Sequence, residues 1–200
     1  MAAIFAETLG LHALFYFTAI MAVFVILSTL SINQKWIDHN VARGLIDDKV
    51  HQKPSSFLIL FENRNLLYFG CSILMFHLAN AAMLLLLGEE VAITNTGKDS
   101  IIFLSGSIMS AQAVMFLMAL LTRFKVEAWG RKPLFMIAFI VLPIRGILFT
   151  FSANPYYLLA VQLLDGVGAG LFGALFPIVV ADFTKGTGHY NVALGALSMM

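Results

Sequence analysis

Charge is scarce in this chain, with 12 Lys and Arg and 11 Asp and Glu among 200 residues, or 12%. An ordinary soluble domain carries about a quarter. So few charges cannot clothe a globule of this size in a solvated surface, and the net charge of +1 lacks the basic footprint of a nucleic-acid binder; no nucleic-acid partner is expected. Cysteine is scarcer still. Cys71 stands alone, which excludes a disulfide within the chain and leaves no cysteine cluster for a metal; in an apolar run it reads as a small packing residue. No nucleophile stands beside a base, no two carboxylates form a dyad, and no zinc-ligand spacing occurs. Neither enzyme chemistry nor a cofactor is therefore expected. Haem is disfavoured because His77 has no second histidine at a matching depth: His12 falls near the opposite boundary, and His39 and His51 lie in a polar stretch and read as solvated.

What fills the chain instead is apolar, 60% hydrophobic by residue with a mean hydropathy of +0.89. The charges sit in islands between runs of the length that crosses about 30 Å of hydrocarbon, at 9–32, 66–88, 101–122, 134–152 and 157–180, with a sixth run starting at Tyr190 and reaching Met200. Backbone groups in lipid must be satisfied within their own segment, so the expected fold is an all-α membrane protein, a polytopic helical bundle, with the lipid bilayer as its first partner. The first run lacks a basic n-region and exceeds the 7–15 apolar residues of a signal peptide; it reads as a retained span. Three parts follow: residues 1–32 as a first transmembrane helix, 33–65 as a polar linker, and 66–200 as a partial helical bundle. Within the linker, Phe57 to Phe61 reads as an interfacial helix lying on the membrane. Lys35, Arg43, Lys49, Lys53 and Arg64 in the linker and Arg123, Lys125, Arg131 and Lys132 in the loop 123–133 make those two segments cytoplasmic by the positive-inside rule. The link 89–100, with Lys98 alone, then faces outward, and a plasma or inner membrane is expected.

Against this background the polar residues inside the runs are conspicuous. A charge at the centre of a membrane helix costs roughly 2.5–3.5 kcal/mol or more. Arg145 lies about nine residues before the Asn154–Pro155 turn and Asp165 about ten after it, so at ~1.5 Å per residue their depths differ by no more than about 2 Å. An ion pair between adjacent antiparallel helices is predicted. It is read in two ways: as part of a substrate or proton path, or as an architectural clamp. His77 and Asn80 are three apart and share a helix face, Gln112 lies mid-span, and Gln162 sits one turn before Asp165. Such residues line a path or bond helix to helix; for His77 a protonation switch stands beside a neutral interhelical contact. Gly168, Gly170 and Gly173 spell the dinucleotide fingerprint, but in mid-span, without the strand it needs. With Gly166 they read as helix packing, since small residues let backbones approach. Pro143 and Pro177 each remove an interior donor, so kinked or loosened turns are expected there.

The segment RFKVEAWGRK, Arg123 to Lys132, resembles the loop motif G-x-x-x-D-[RK]-x-G-[RK]-[RK] of the major facilitator superfamily. Gly130, Arg131 and Lys132 match; Glu127 stands for the Asp, while Arg123 replaces the first Gly and Ala128 a basic residue. FHLANAAMLLLLGE, LPIRG, QLLDGVGAGLFG and VADFTKGTGHYN are similar, as a set, to a branch of bacterial-type major facilitator proteins. The resemblance implies that the chain covers helix six, the central linker, helices seven to ten and the start of eleven of a twelve-helix transporter. It implies secondary transport of a small-molecule substrate by alternating access, ion- or proton-coupled, with the missing helices of the full-length transporter as partners. A truncated, non-transporting membrane protein or a helical packing partner is the alternative. Under this mapping Glu127, Gly130, Arg131 and Lys132 form a cytoplasmic gate with Asp182, which the hairpin returns to the same membrane surface, while Glu127 approaches the N-terminal dipole of the following helix.

Overall fold

The computed structural model describes residues 11–33, 35, 37–42, 63–94 and 98–200. Helices cover Leu11–Leu30 (α1), His39–Ala42 (α2), Arg64–Thr94 (α3), Lys98–Trp129 (α4), Arg131–Leu148 (α5), Pro155–Thr184 (α6) and Tyr190–Ser198 (α7). The chain divides into two compact units, Met1–His39 and Asn40–Met200. In the first, α1 is apolar all round, with Phe15, Phe24 and Leu30 exposed, as a lipid-facing helix must be. The interfacial helix expected at Phe57–Phe61 lies outside the described residues.

The second unit is a bundle whose boundaries follow local chemistry. Asn63 opens α3, its side-chain oxygen accepting from the backbone N–H of Asn65 at 3.0 Å, and its amide nitrogen donates to the Phe183 carbonyl near the end of α6 at 3.5 Å. Asn154 caps α6 by accepting from Tyr156 N–H at 2.9 Å, with Pro155 in the first turn, where its missing N–H leaves nothing unsatisfied. Tyr157 ties this turn back to α5, its hydroxyl donating to the Leu148 carbonyl at 2.9 Å.

The basic segment 123–133 is not the loop that its charges suggest. Residues 123–129 continue α4, α5 begins at Arg131, and Gly130 alone joins them with φ 82°. Its N–H donates to the Val126 carbonyl at 3.1 Å, in the left-handed conformation that glycine adopts at helix ends. The physical reason for the difference is that FKVEAW contains no helix breaker; charge there ends the apolar run, not the helix. The fourth apolar run is displaced likewise, from 134–152 to Arg131–Leu148, because Pro133 is tolerated in a first turn and the chain leaves the helix before Phe151. Helices α5 and α6 run through Pro143 and Pro177. Among the described residues, three helices are long and apolar enough to cross a membrane: Arg64–Val91, Ile102–Trp129 and Pro155–Thr184. Helix α5 is 18 residues long and carries Arg131, Lys132 and Arg145.

Packing places α6 at the centre. Its Leu171, Phe172 and Leu175 join Ile73 and Phe76 of α3, Leu134 and Phe135 of α5, and Leu197 of α7 in one buried cluster. Phe76 and Phe172 stack with centroids 4.6 Å apart, and Phe69 meets Phe135 edge-on at 5.4 Å. Opposite faces of the helices remain apolar and exposed, as at Leu85 and Phe116, the pattern of a bundle solvated by lipid. Where α4 meets α6, a Cβ on Gly166 would lie 2.3 Å from the Ala111 carbonyl oxygen and one on Gly170 2.7 Å from that of Met115. The two backbones touch at successive turns in the same direction, so α4 and α6 are parallel. Gly168 points toward Ala138 of α5 at 3.6 Å, whereas Gly173 faces open space and takes no part in the packing expected of it.

Candidate functional site

Running antiparallel, α5 and α6 bring Arg145, in the last turn of α5, beside Asp165, in the first half of α6. Arg145 is 2% exposed, and its Nη1 donates to Asp165 Oδ1 in an ion pair. The remaining donors of the guanidinium turn toward α3: Nη2 donates to Asn80 Oδ1 at 2.7 Å and Nε to Met83 Sδ at 3.3 Å. The Phe149 ring lies 5.8 Å from the guanidinium carbon, one turn along the same helix, within cation–π range. Asp165 receives a second bond at Oδ2, from Gln162 Nε2 at 3.2 Å. The pair is thus neutralised and held by three helices. It is not sealed, because the Asp165 side chain keeps 24% of its exposure. A void of about 10 Å³ touches Asn80, Arg145 and Asp165, at the lower limit for one water.

Gln162 is buried and its Oε1 has no hydrogen-bond partner among the described residues, nor has the buried Ser107 Oγ. Ser107 stands one turn before Ala111 and Gln162 one turn before Gly166. The parallel α4–α6 contact therefore places both at about the same level of the bundle, each with an unbonded polar atom.

Not all expected residues enter this cluster. Gln112 is exposed on α4, and His77 is exposed on α3 with its ring against Phe76 and Phe172 at 5.8 and 5.3 Å. Asn80 alone of the His77–Asn80 pair reaches Arg145. Conversely, Met83 and Phe149 contact the guanidinium without having carried any polar signal. Only the four-residue spacing from Arg145 to Phe149 was there to be read. At the other end of the hairpin, Arg131 Nε and Asp182 Oδ2 are 2.8 Å apart, with side chains 51% and 38% exposed. Lys132 is exposed beside them at the start of α5, and Glu127 is exposed in the last turns of α4, not in a loop.

On the side of the Arg145 cluster toward the α5–α6 turn, a cleft of about 740 Å³ opens between the second half of α3 and the 149–153 turn, lined by Met83, Glu90, Gly146, Phe149, Ser152 and neighbours.

Comparison with known proteins adds an independent line. The profile of the family described as "Sugar (and other) transporter" matches residues 2–198. An uncharacterised MFS-type transporter of Mycobacterium tuberculosis strain CDC 1551 / Oshkosh is 47% identical over 191 residues, covering 94% of this chain and 46% of the relative. A protein of the same description from strain H37Rv matches to the same extent. The chain spans about half the length of these curated relatives. No solved structure matches it.

Proposed function

Because this chain belongs to the sugar (and other) transporter family of the major facilitator superfamily, and is an integral membrane protein by its apolar helices, we propose that it serves secondary transport of a small solute. The mechanism is alternating access, ion- or proton-coupled, with the helices that the longer relatives carry completing the path. The observation that carries the reading is the Arg145–Asp165–Asn80 cluster. Three polar side chains converge from three helices around a buried charge, Arg145 being 2% exposed, and buried charge in a membrane bundle is expensive and marks substrate or proton pathways. Asp165 keeps part of its surface open. The Arg131–Asp182 pair supports a cytoplasmic gate, since an exposed ion pair contributes only about 0–1 kcal/mol and can part and re-form as helices rock.

The architectural clamp remains a second reading because the pair is already satisfied by its neighbours. Removing one partner leaves an uncompensated buried charge, a loss of roughly 3–5 kcal/mol for a closed site and less here, where Asp165 is partly open. Arg145→Ala and Asp165→Ala each lower the amount of folded protein in the membrane, and the double variant recovers much of it. Solute uptake by the full-length protein then separates the readings. Recovery of abundance without uptake assigns the charges to the path, whereas recovery of both makes them a clamp.

A further inference from the structure

The guanidinium of Arg145 is not evenly satisfied. Nη1 and Nη2 donate to oxygens of Asp165 and Asn80, but Nε donates to a thioether, Met83 Sδ at 3.3 Å, and thioether sulfur is a weak acceptor. Met83 also lines the 740 Å³ cleft, so one face of its side chain meets the cleft and the other meets Arg145. Its methyl group rests over Gly146, where a Cβ would approach to 3.1 Å; glycine at that position makes the room Met83 occupies. Methionine is unbranched, with three rotatable bonds, and moves between rotamers more readily than a branched side chain.

We propose that Met83 is a movable plug between the cleft and the buried charges: when its side chain swings aside, the cleft opens onto Arg145 Nε and an oxygen acceptor of the solute takes the place of the sulfur. The proposal rests on the reading that the Arg145 cluster belongs to the solute path. The exchange is favoured because an oxygen accepts from a guanidinium more strongly than a thioether does. The plug makes Arg145 reachable only when something in the cleft competes for it.

The test uses the full-length protein in membrane vesicles, treated with the arginine reagent 2,3-butanedione in borate, with modification of Arg145 and Arg131 measured by peptide mass spectrometry. Arg131, 51% exposed, is the internal control. Met83→Ala raises the rate at Arg145 several-fold and leaves Arg131 unchanged. Met83→Gln, which brings an amide oxygen on a chain of similar length, lowers it below wild type, and Met83→Leu falls between Ala and wild type. Should Met83→Ala give too little folded protein, Gly146→Ala supplies the second measurement, its new methyl displacing that of Met83 and speeding the reaction at Arg145. An Arg145 rate unchanged in Met83→Ala, or unchanged in Gly146→Ala where that variant stands in, overturns the plug. Failure of the path reading looks different: Arg145 labels faster in Met83→Ala, yet the Arg145→Ala/Asp165→Ala variant still transports.

Discussion

Gly166, Gly170 and Gly173 look alike in the sequence and differ in the structure by what a single methyl would meet. At Gly166 and Gly170 it would overlap carbonyl oxygens of α4, at 2.3 and 2.7 Å, and neither backbone can yield without separating the helices. Gly166→Ala and Gly170→Ala each cost about 1–3 kcal/mol or more by overpacking. Gly173→Ala meets nothing, and because alanine is the better helix former by up to ~1 kcal/mol, it is neutral or stabilising. Thermal unfolding in detergent measures the difference; Gly166→Ala and Gly170→Ala variants as stable as Gly173→Ala would show that the α4–α6 contact is not as close as described. The same distinction governs the charges. Arg145 and Asp165 could be paired from the sequence because both are counted from one turn, Asn154–Pro155. Asn80 and Met83 could not be added, because which face α3 turns toward α5 depends on the packing of Phe76 against Phe172, which no spacing records.

At the scale of elements, helix bodies follow from apolar runs and helix ends from a few residues. Asn63, Asn154 and Pro155 mark starts, and Gly130 marks the one-residue joint between α4 and α5. Reading 123–133 as a loop confuses the end of an apolar run with the end of a helix: about seven further residues continue α4, roughly 10 Å at 1.5 Å per residue. Backbone amides of residues 124–129 therefore exchange hydrogen slowly, as helical ones do, although the segment is basic. Gly130→Ala forces a Cβ into the left-handed region, costing roughly 1–2 kcal/mol, and lowers the melting temperature, whereas Lys132→Ala, on the exposed start of α5, leaves it nearly unchanged. Similar losses at both positions would mean that Gly130 is not under this constraint.

We propose that residues 33–65 and 123–133 face the cytoplasm, so that a cysteine at Lys49 in a Cys71→Ser background is shielded from an impermeant thiol reagent in intact cells, and one at Lys98 reacts. The reverse pattern inverts the topology. The Arg131–Asp182 pair is exposed on both sides, so Arg131→Ala costs at most about 1 kcal/mol of stability. In the full-length protein it nevertheless slows transport if the pair holds one state closed, and unchanged transport would remove the gate.

The chain's own composition and spacing determined that it is a helical membrane protein, where the bodies of its long apolar helices run though not where α4 and α5 end, and that Arg145 and Asp165 can pair. These are consequences of length, periodicity and the cost of charge in lipid, all of which are local or count from a single turn. Tertiary structure alone decided that α4 and α6 touch backbone to backbone at Gly166 and Gly170 while Gly173 stands free. It decided that Asn80 and not His77 meets Arg145, and that a methionine sulfur accepts from the guanidinium Nε. Those outcomes depend on the rotation of each helix about its axis. In a bundle that is apolar both toward lipid and toward its core, hydrophobicity does not mark which face turns inward; side-chain shape and close packing settle it.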